Sequence, residues 1–217
     1  MPIKPVQRQV AAIVVGAASQ YGAAVAGGVA LMMHGVIDRY TADVDVFTNK
    51  EGGVEAATAK VEAALEAAGF QVNRTDKTAG LADIFPGMGE GLAEWILTSP
   101  AGEKVQLQMS YFDRAGKPVI MEAGPVLALD DVAAGKTAAL AGRAMVRDFL
   151  DVAALLNHYS IAKLIALARK QDRGLLVSDF AAAGRRLDRM PDSAFTRYGL
   201  TADQAAWIRD QFEGWPR

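Results

Sequence analysis

The sequence has no cysteine and only two histidines, His34 and His158, among its 217 residues. That excludes a disulfide framework, a thiolate nucleophile, a Cys-ligated zinc or iron–sulfur site and a histidine-rich metal centre. It also has little net charge: 23 basic side chains against 25 acidic ones leave −2, which gives no global attraction to nucleic acid or to an anionic membrane. Aromatic residues make up only 7%. The hydrophobic fraction of 51% is raised by 41 alanines more than by large core side chains, and 21 glycines are interspersed. A chain of this length still buries roughly 70% of its unfolded surface, so its core needs no covalent staples.

One stretch is unusual for what it omits. From Val10 to Met33 there is no charged residue, a length that could span a bilayer. Ser19, Gln20, Tyr21 and Gly22 interrupt it, however, and Asp38, Arg39, Asp43 and Asp45 follow within a few residues. A buried helix, a turn and a buried strand account for the same residues, so no membrane span is expected. The start, MPIKPVQRQV, lacks the form of a secretory signal, which points to a cytoplasmic protein.

Residues 5–20 read as a helix with proline near its start and Gly22 beyond its end. Ala23 to Ala26 is a short apolar run closed by Gly27-Gly28, as for a buried strand that turns tightly. The segment TADVDVF, Thr41 to Phe47, alternates as a half-buried strand should. Residues 53–68 carry apolar side chains at helical spacing. Residues 94–98 and 104–112 predict a hairpin across Ser99-Pro100-Ala101-Gly102, and 118–127 is extended. After Leu129 helical periods dominate, over 131–143, 146–159, 161–170, 177–189 and 201–213. Charge changes at the same place: residues 1–130 hold 10 basic and 15 acidic groups, residues 131–217 hold 13 and 10. An α+β architecture is expected, with an α/β domain over 1–128 and a helical domain over 129–217.

Asp43 and Asp45 carry the clearest chemistry. On a strand, positions i and i+2 face the same way, about 6.5–7 Å apart. Two carboxylates so placed suit Mg²⁺ and, through it, a nucleoside triphosphate. Two acids on a solvated strand face would look the same, so context decides. Gly28 lies fifteen residues earlier at a strand-to-helix junction, where glycines let backbone N–H groups approach phosphate. Arg39 can neutralise phosphate charge, and Thr41 can hydrogen-bond the loop.

Ala26-Gly27-Gly28-Val29-Ala30 through Arg39-Tyr40-Thr41-Ala42-Asp43-Val44-Asp45-Val46-Phe47 resembles the first motif of the AbiEii/AbiGii-type nucleotidyltransferase toxins, within the polymerase-beta-like superfamily. A second match follows in order. Lys136-Thr137-Ala138-Ala139-Leu140, Arg143 and Arg147-Asp148-Phe149-Leu150-Asp151-Val152 are similar to that family's Lys-x-x-Ala-Leu…Arg…Arg-Asp-x-x-Asp-Leu signature. The resemblance covers about residues 20–156 and implies a mixed sheet with flanking helices. It implies Mg²⁺-dependent (or Mn²⁺-dependent) transfer of a nucleoside monophosphate from an NTP to an acceptor such as the 3′ end of tRNA, and a cognate antitoxin. By carry-over Gly27 and Gly28 hold the triphosphate, Asp43 and Asp45 hold metal, and Lys136 and Asp148 are the other essential positions. Lys136, Arg143 and Arg147 suit a polyphosphate, since cations beside it stabilise an in-line displacement. With Leu140 they fall on one stripe of a continuous helix, and Asp148 and Asp151 could orient them. An ordinary charged helix face with internal ion pairs is the competing reading.

One departure bears on activity. The superfamily places a third carboxylate on a strand beside the Asp-x-Asp strand, yet the strand expected there reads KVQLQMS, with Gln106 and Gln108 at its polar positions. Glutamine brings no charge and cannot take the acceptor's proton. Glu94 and Asp113 are the carboxylates that could stand in. Two alternatives therefore stand beside the toxin reading: a nucleotide-binding or regulatory module with impaired catalysis, and a small-molecule, antibiotic-type nucleotidyltransferase. His34 reads as a packed or capping residue more than as a phosphate contact, and His158 as solvated. The three tryptophans read as packing. Between Lys163 and Arg189 seven basic residues face three acids, a surface suited either to an RNA backbone or to plain solvation.

Overall fold

The computed structural model describes residues 3–39, 41–76 and 91–217. The chain divides into two compact units, Met1–Leu129 and Asp130–Arg217.

In the first unit, helix α1 (Pro5–Ala17) has proline in its first turn, where the missing N–H costs nothing. A short 3₁₀ turn (Ser19–Tyr21) ends at Gly22, which takes a left-handed φ of 70°. The uncharged stretch thus becomes helix, turn, strand β1 (Ala24–Ala26) and helix α2 (Gly27–Met33). Among the described residues no helix is long and apolar enough to cross a membrane. Strand β2 (Asp43–Thr48), helix α3 (Gly53–Ala67), strand β3 (Gln71–Arg74), the β4–β5 hairpin (Leu92–Thr98, Lys104–Tyr111) and the β6–β7 hairpin (Val119–Met121, Gly124–Val126) complete it.

The seven strands among the described residues form one mixed sheet in the order β3-β4-β5-β2-β1-β7-β6. Strand β2 runs antiparallel to β1 and parallel to β5. Period-two alternation in β2, β4 and β5 gives the sheet two unlike faces. One carries Val44, Val46, Trp95, Leu97, Leu107 and Met109, all buried, and α1 and α3 pack with Val10, Val14, Val61 and Leu65 at 0% exposure. The other, half-exposed, carries Asp43, Asp45, Glu94, Gln106 and Gln108.

The second unit is helical: α4 (Leu129–Arg143), α5 (Val146–Leu155), α6 (Ile161–Gln171), α7 (Val177–Arg189), α8 (Asp192–Thr196) and α9 (Ala202–Gln211). Phe149, Phe180, Phe195 and Phe212 are fully buried, and Trp215 joins Phe212 and Phe180 in an aromatic cluster. Trp215 Nε1 donates to the Phe180 carbonyl at 2.9 Å. Trp207, read from the sequence as packing, is 41% exposed. The segment after α9 lies so close on α7 that a Cβ on Gly184 would sit 2.1 Å from the Pro216 carbonyl oxygen. Backbone cannot yield as a flexible side chain does. Gly184→Ala is therefore expected to lower stability by about 1–3 kcal/mol, read as a shifted denaturation midpoint with an unchanged slope. Gly142→Ala, where nothing lies within 4 Å, serves as the control.

Candidate active site

The β1–α2 turn, the loop before β2 and the open face of β2 converge in the first unit. Gly27 takes φ +62°, a left-handed conformation that favours glycine. Register places Ala26 opposite Asp45 on the neighbouring strand. Consequently a Cβ on Gly27 would fall 1.7 Å from Asp45 Oδ2, and one on Gly28 2.9 Å from Thr41 Oγ1. Both glycines are thus required by close approach to site side chains as well as by the turn.

Thr41 is buried, and its hydroxyl donates to Asp43 Oδ1 at 2.6 Å. Its carbonyl accepts from Gln7 Nε2 at 2.7 Å, from a glutamine of α1 that is 2% exposed. Gln7 was not legible as a site residue, since its partner lies 34 positions away and no local spacing signals it. Gln7→Met keeps the volume but leaves a buried carbonyl without its donor. A stability loss of about 1–3 kcal/mol is expected, with the melting temperature as the measure.

Asp43 stands opposite Gln106 and Asp45 opposite Gln108 on β5. The strand that neighbours the Asp-x-Asp strand therefore presents glutamines at the positions where the superfamily carries a third carboxylate. Gln108 Nε2 donates to Ser110 Oγ at 3.1 Å. Glu94 is opposite Gln108 on β4, two strands and about 10 Å from β2. Its amide donates to Asp76 Oδ1 at 3.1 Å, and Arg74 grips that carboxylate with two bonds of 2.8 Å. Burial alone would raise the Asp76 carboxyl, but the Arg74 hydrogen bond and the Glu94 amide outweigh it and hold it below its usual value. Asp113 is exposed beyond the end of β5. Arg39 is half-exposed in the loop between α2 and β2.

His34, at the C-terminal end of α2, shares a 2.8 Å hydrogen bond with the Leu127 carbonyl through Nε2, which is a packing role. His158 is exposed.

The second unit holds Lys136, Arg143, Arg147 and Asp148. The single stripe expected from a continuous helix is not formed: α4 ends at Arg143 and α5 begins at Val146. Ala144 makes the break with φ +46°, the one non-glycine residue at positive φ among those described. The separate helical periods over 131–143 and 146–159 leave this same gap, with Gly142 just before it. Asp148, 1% exposed, spans the break. Its carboxylate takes two bonds from Arg143, Nε to Oδ2 at 2.9 Å and Nη2 to Oδ1 at 2.8 Å, and accepts the Met145 N–H at 3.0 Å. Asp151, equally buried, pairs with Lys136 Nζ at 2.8 Å. Both pairs join α4 to α5 through buried carboxylates and are not intrahelical pairs on a solvated face. Arg147 differs, for its buried Nε has no hydrogen-bond partner among the described residues. Further along, Tyr159 donates to Asp130 Oδ1 at 2.7 Å, and burial with that carboxylate pushes its hydroxyl well above the usual range.

Two adjacent carboxylates on an open sheet face suit a magnesium ion, which commonly takes one or two protein carboxylates and fills its shell with water and phosphate oxygens. Among the described residues no group of three or more His, Cys, Asp or Glu side chains could form a closed, all-protein cage.

The family model described as "Nucleotidyl transferase AbiEii toxin, Type IV TA system" matches residues 15–211. No curated protein sequence matches. Among solved structures, JHP933 from Helicobacter pylori is similar over 98% of this chain and 92% of its own, with a TM-score of 0.60 at 14% identity. MenT4, the nucleotidyltransferase toxin Rv2826c from Mycobacterium tuberculosis H37Rv, is similar over 95% and 82%, with a TM-score of 0.56 at 18% identity. At such identities these likenesses establish the fold.

Proposed function

The chain belongs to the AbiEii nucleotidyltransferase toxin family of type IV toxin–antitoxin systems, and from that premise we propose that it moves a nucleoside monophosphate from an NTP to the 3′ end of a tRNA or similar RNA in the cytoplasm. The juxtaposition of Gly27 with Asp45, and of Thr41 with Asp43, carries this reading. A triphosphate would lie beside the Gly27–Gly28 turn, whose α-carbons carry no side chain to displace Asp45 or Thr41. Asp43 and Asp45 would hold Mg²⁺ or Mn²⁺. When bound, the ion neutralises phosphate charge and orients the reacting groups.

Each remaining role belongs to the chain itself. The Thr41 hydroxyl occupies one lone pair of Asp43 and fixes the rotamer of its carboxylate. Arg39 adds positive charge on the same loop. In the helical unit Lys136, Arg143 and Arg147 supply cations, and Asp148 and Asp151 hold two of them in fixed geometry. Family membership implies an NTP substrate and a cognate antitoxin.

A second reading rests on a specific observation: the glutamines opposite both aspartates. Neither can accept the acceptor's proton. A chain with this register but no working base would bind nucleotide and not turn it over, as a regulatory module does. Incubation with Mg²⁺, each α-labelled NTP and total tRNA separates the two. Label on RNA supports the transferase reading. NTP binding without label on RNA or protein selects the regulatory one. Label moved only to a small molecule such as an aminoglycoside would select the antibiotic-type reading.

A further inference from the structure

We propose that the arginine stripe of α7 is the surface on which the helical unit seats a polynucleotide backbone, so that the RNA acceptor docks through the groove between α7 and α8. This rests on the RNA-acceptor reading above.

Arg185, Arg186 and Arg189, with Ala182, occupy positions i, i+3, i+4 and i+7 of α7 and line one groove of about 570 Å³, closed on its far side by Met190 and Pro191. Among the described residues none of the three guanidiniums has an ion-pair partner. The nearby acids are engaged elsewhere. Asp179 accepts the Leu176 N–H at the helix start, Asp188 pairs with Arg217 at 2.7 Å, and Asp192 pairs with Arg209 at 2.7 Å. Arg209 and Arg217 take two of these acids, and the stripe on α7 is left uncompensated. Three exposed like charges on one helix face repel one another and destabilise the isolated helix. An arrangement of that kind is stabilised when a polyanion binds.

The geometry favours a nucleic-acid strand over a single small anion. From Arg185 to Arg189 the helix rises about 6 Å, the scale of successive phosphates along one strand, and planar guanidinium forks suit phosphate bidentately. Ala182, one turn before Arg185 and Arg186, leaves room for a backbone at that end of the groove. A second groove in the same unit is lined by Arg169, Lys170 and Arg173 with Ala162, Ile165 and Ala166, so basic lining is not confined to α7. Neither groove is lined by an aromatic, Asn or Gln side chain, and the proposed contacts are to phosphate, which carries no sequence information.

The test compares the parent chain with Arg185→Gln/Arg186→Gln/Arg189→Gln and with the charge-keeping triple lysine variant. Fluorescence anisotropy of a short labelled mixed-sequence oligoribonucleotide is followed against salt, and binding of a fluorescent ATP analogue is measured alongside. Removing three phosphate contacts should flatten the log–log salt slope by about 2 and weaken binding about a hundredfold near 0.1 M salt. The lysine variant should keep the slope, and ATP-analogue binding should not change in either. RNA binding by the glutamine variant with the parent's affinity and slope would overturn the groove while leaving the RNA-acceptor reading intact. A parent chain that binds the ATP analogue but no RNA would overturn both. Tighter capture of poly-glutamate than of RNA would make the stripe a surface for an acidic protein and overturn the assignment.

Discussion

A chain carrying Asp43→Asn and Asp45→Asn is expected to fold like the parent and to transfer label from an NTP more slowly by a factor of about 10³ or more, or about 4 kcal/mol of lost transition-state stabilisation. Both side chains are half-exposed on the open sheet face, so isosteric amides disturb no core packing. Asparagine can still accept the Thr41 hydroxyl at position 43, and the local hydrogen bond survives. What disappears is negative charge, and with it the pair's ability to hold a divalent cation against water. Thermal melting should place the two chains within about 1 kcal/mol of each other, as for surface substitutions. Transfer that persists in the double variant would remove these aspartates from the site.

The next largest effect is expected at Gly27. Gly27→Ala must place a methyl group where Asp45 Oδ2 now lies, at a φ that L side chains rarely adopt. Either the turn or the carboxylate moves. Transfer should fall about 10- to 100-fold, since a misplaced reacting geometry of 1 Å can cost that much, and stability should fall by about 1–3 kcal/mol from backbone strain. Gly28→Ala provides the graded comparison. Its φ is ordinary, and the nearest atom, Thr41 Oγ1 at 2.9 Å, belongs to a side chain. A loss of only about fivefold is expected there, equivalent to about 1 kcal/mol. Equal losses at 27 and 28 would show that the turn, and not contact with Asp45, sets the effect.

Much of this geometry is written locally. The alternation of TADVDVF becomes β2 with its acids on one face, because period two alone decides which side chains share a side of a strand. Ser99 to Gly102 closes the β4–β5 hairpin, with the Gly102 N–H donating to Ser99 O at 2.8 Å. The glutamines of β5 were legible for the same reason, and β5 does lie beside β2. Three features were not. The left-handed φ at Gly27 depends on how β1 meets β2. Gln7 acts through a contact distant in sequence. The gap between the helical periods 131–143 and 146–159 marks the α4–α5 break but not the left-handed turn at Ala144, a strong helix former that packing holds at 5% exposure in a disfavoured conformation. The five-residue α8, too short to show a period, went unread as well.

The elbow at Ala144 also changes what an inactive variant would mean. Asp148 grips Arg143 on one side of the break and the Met145 amide on the other, so it works as a clasp as much as a charge. Losing it frees a joint that stores strain, and the helices on either side regain freedom to reorient. A library screened for loss of nucleotide transfer is therefore expected to return position 148 as readily as positions 43 and 45, by a different route. The two routes separate in hydrogen exchange: an Asp148 variant should open the amides flanking residue 144, and an Asp43 variant should leave them closed.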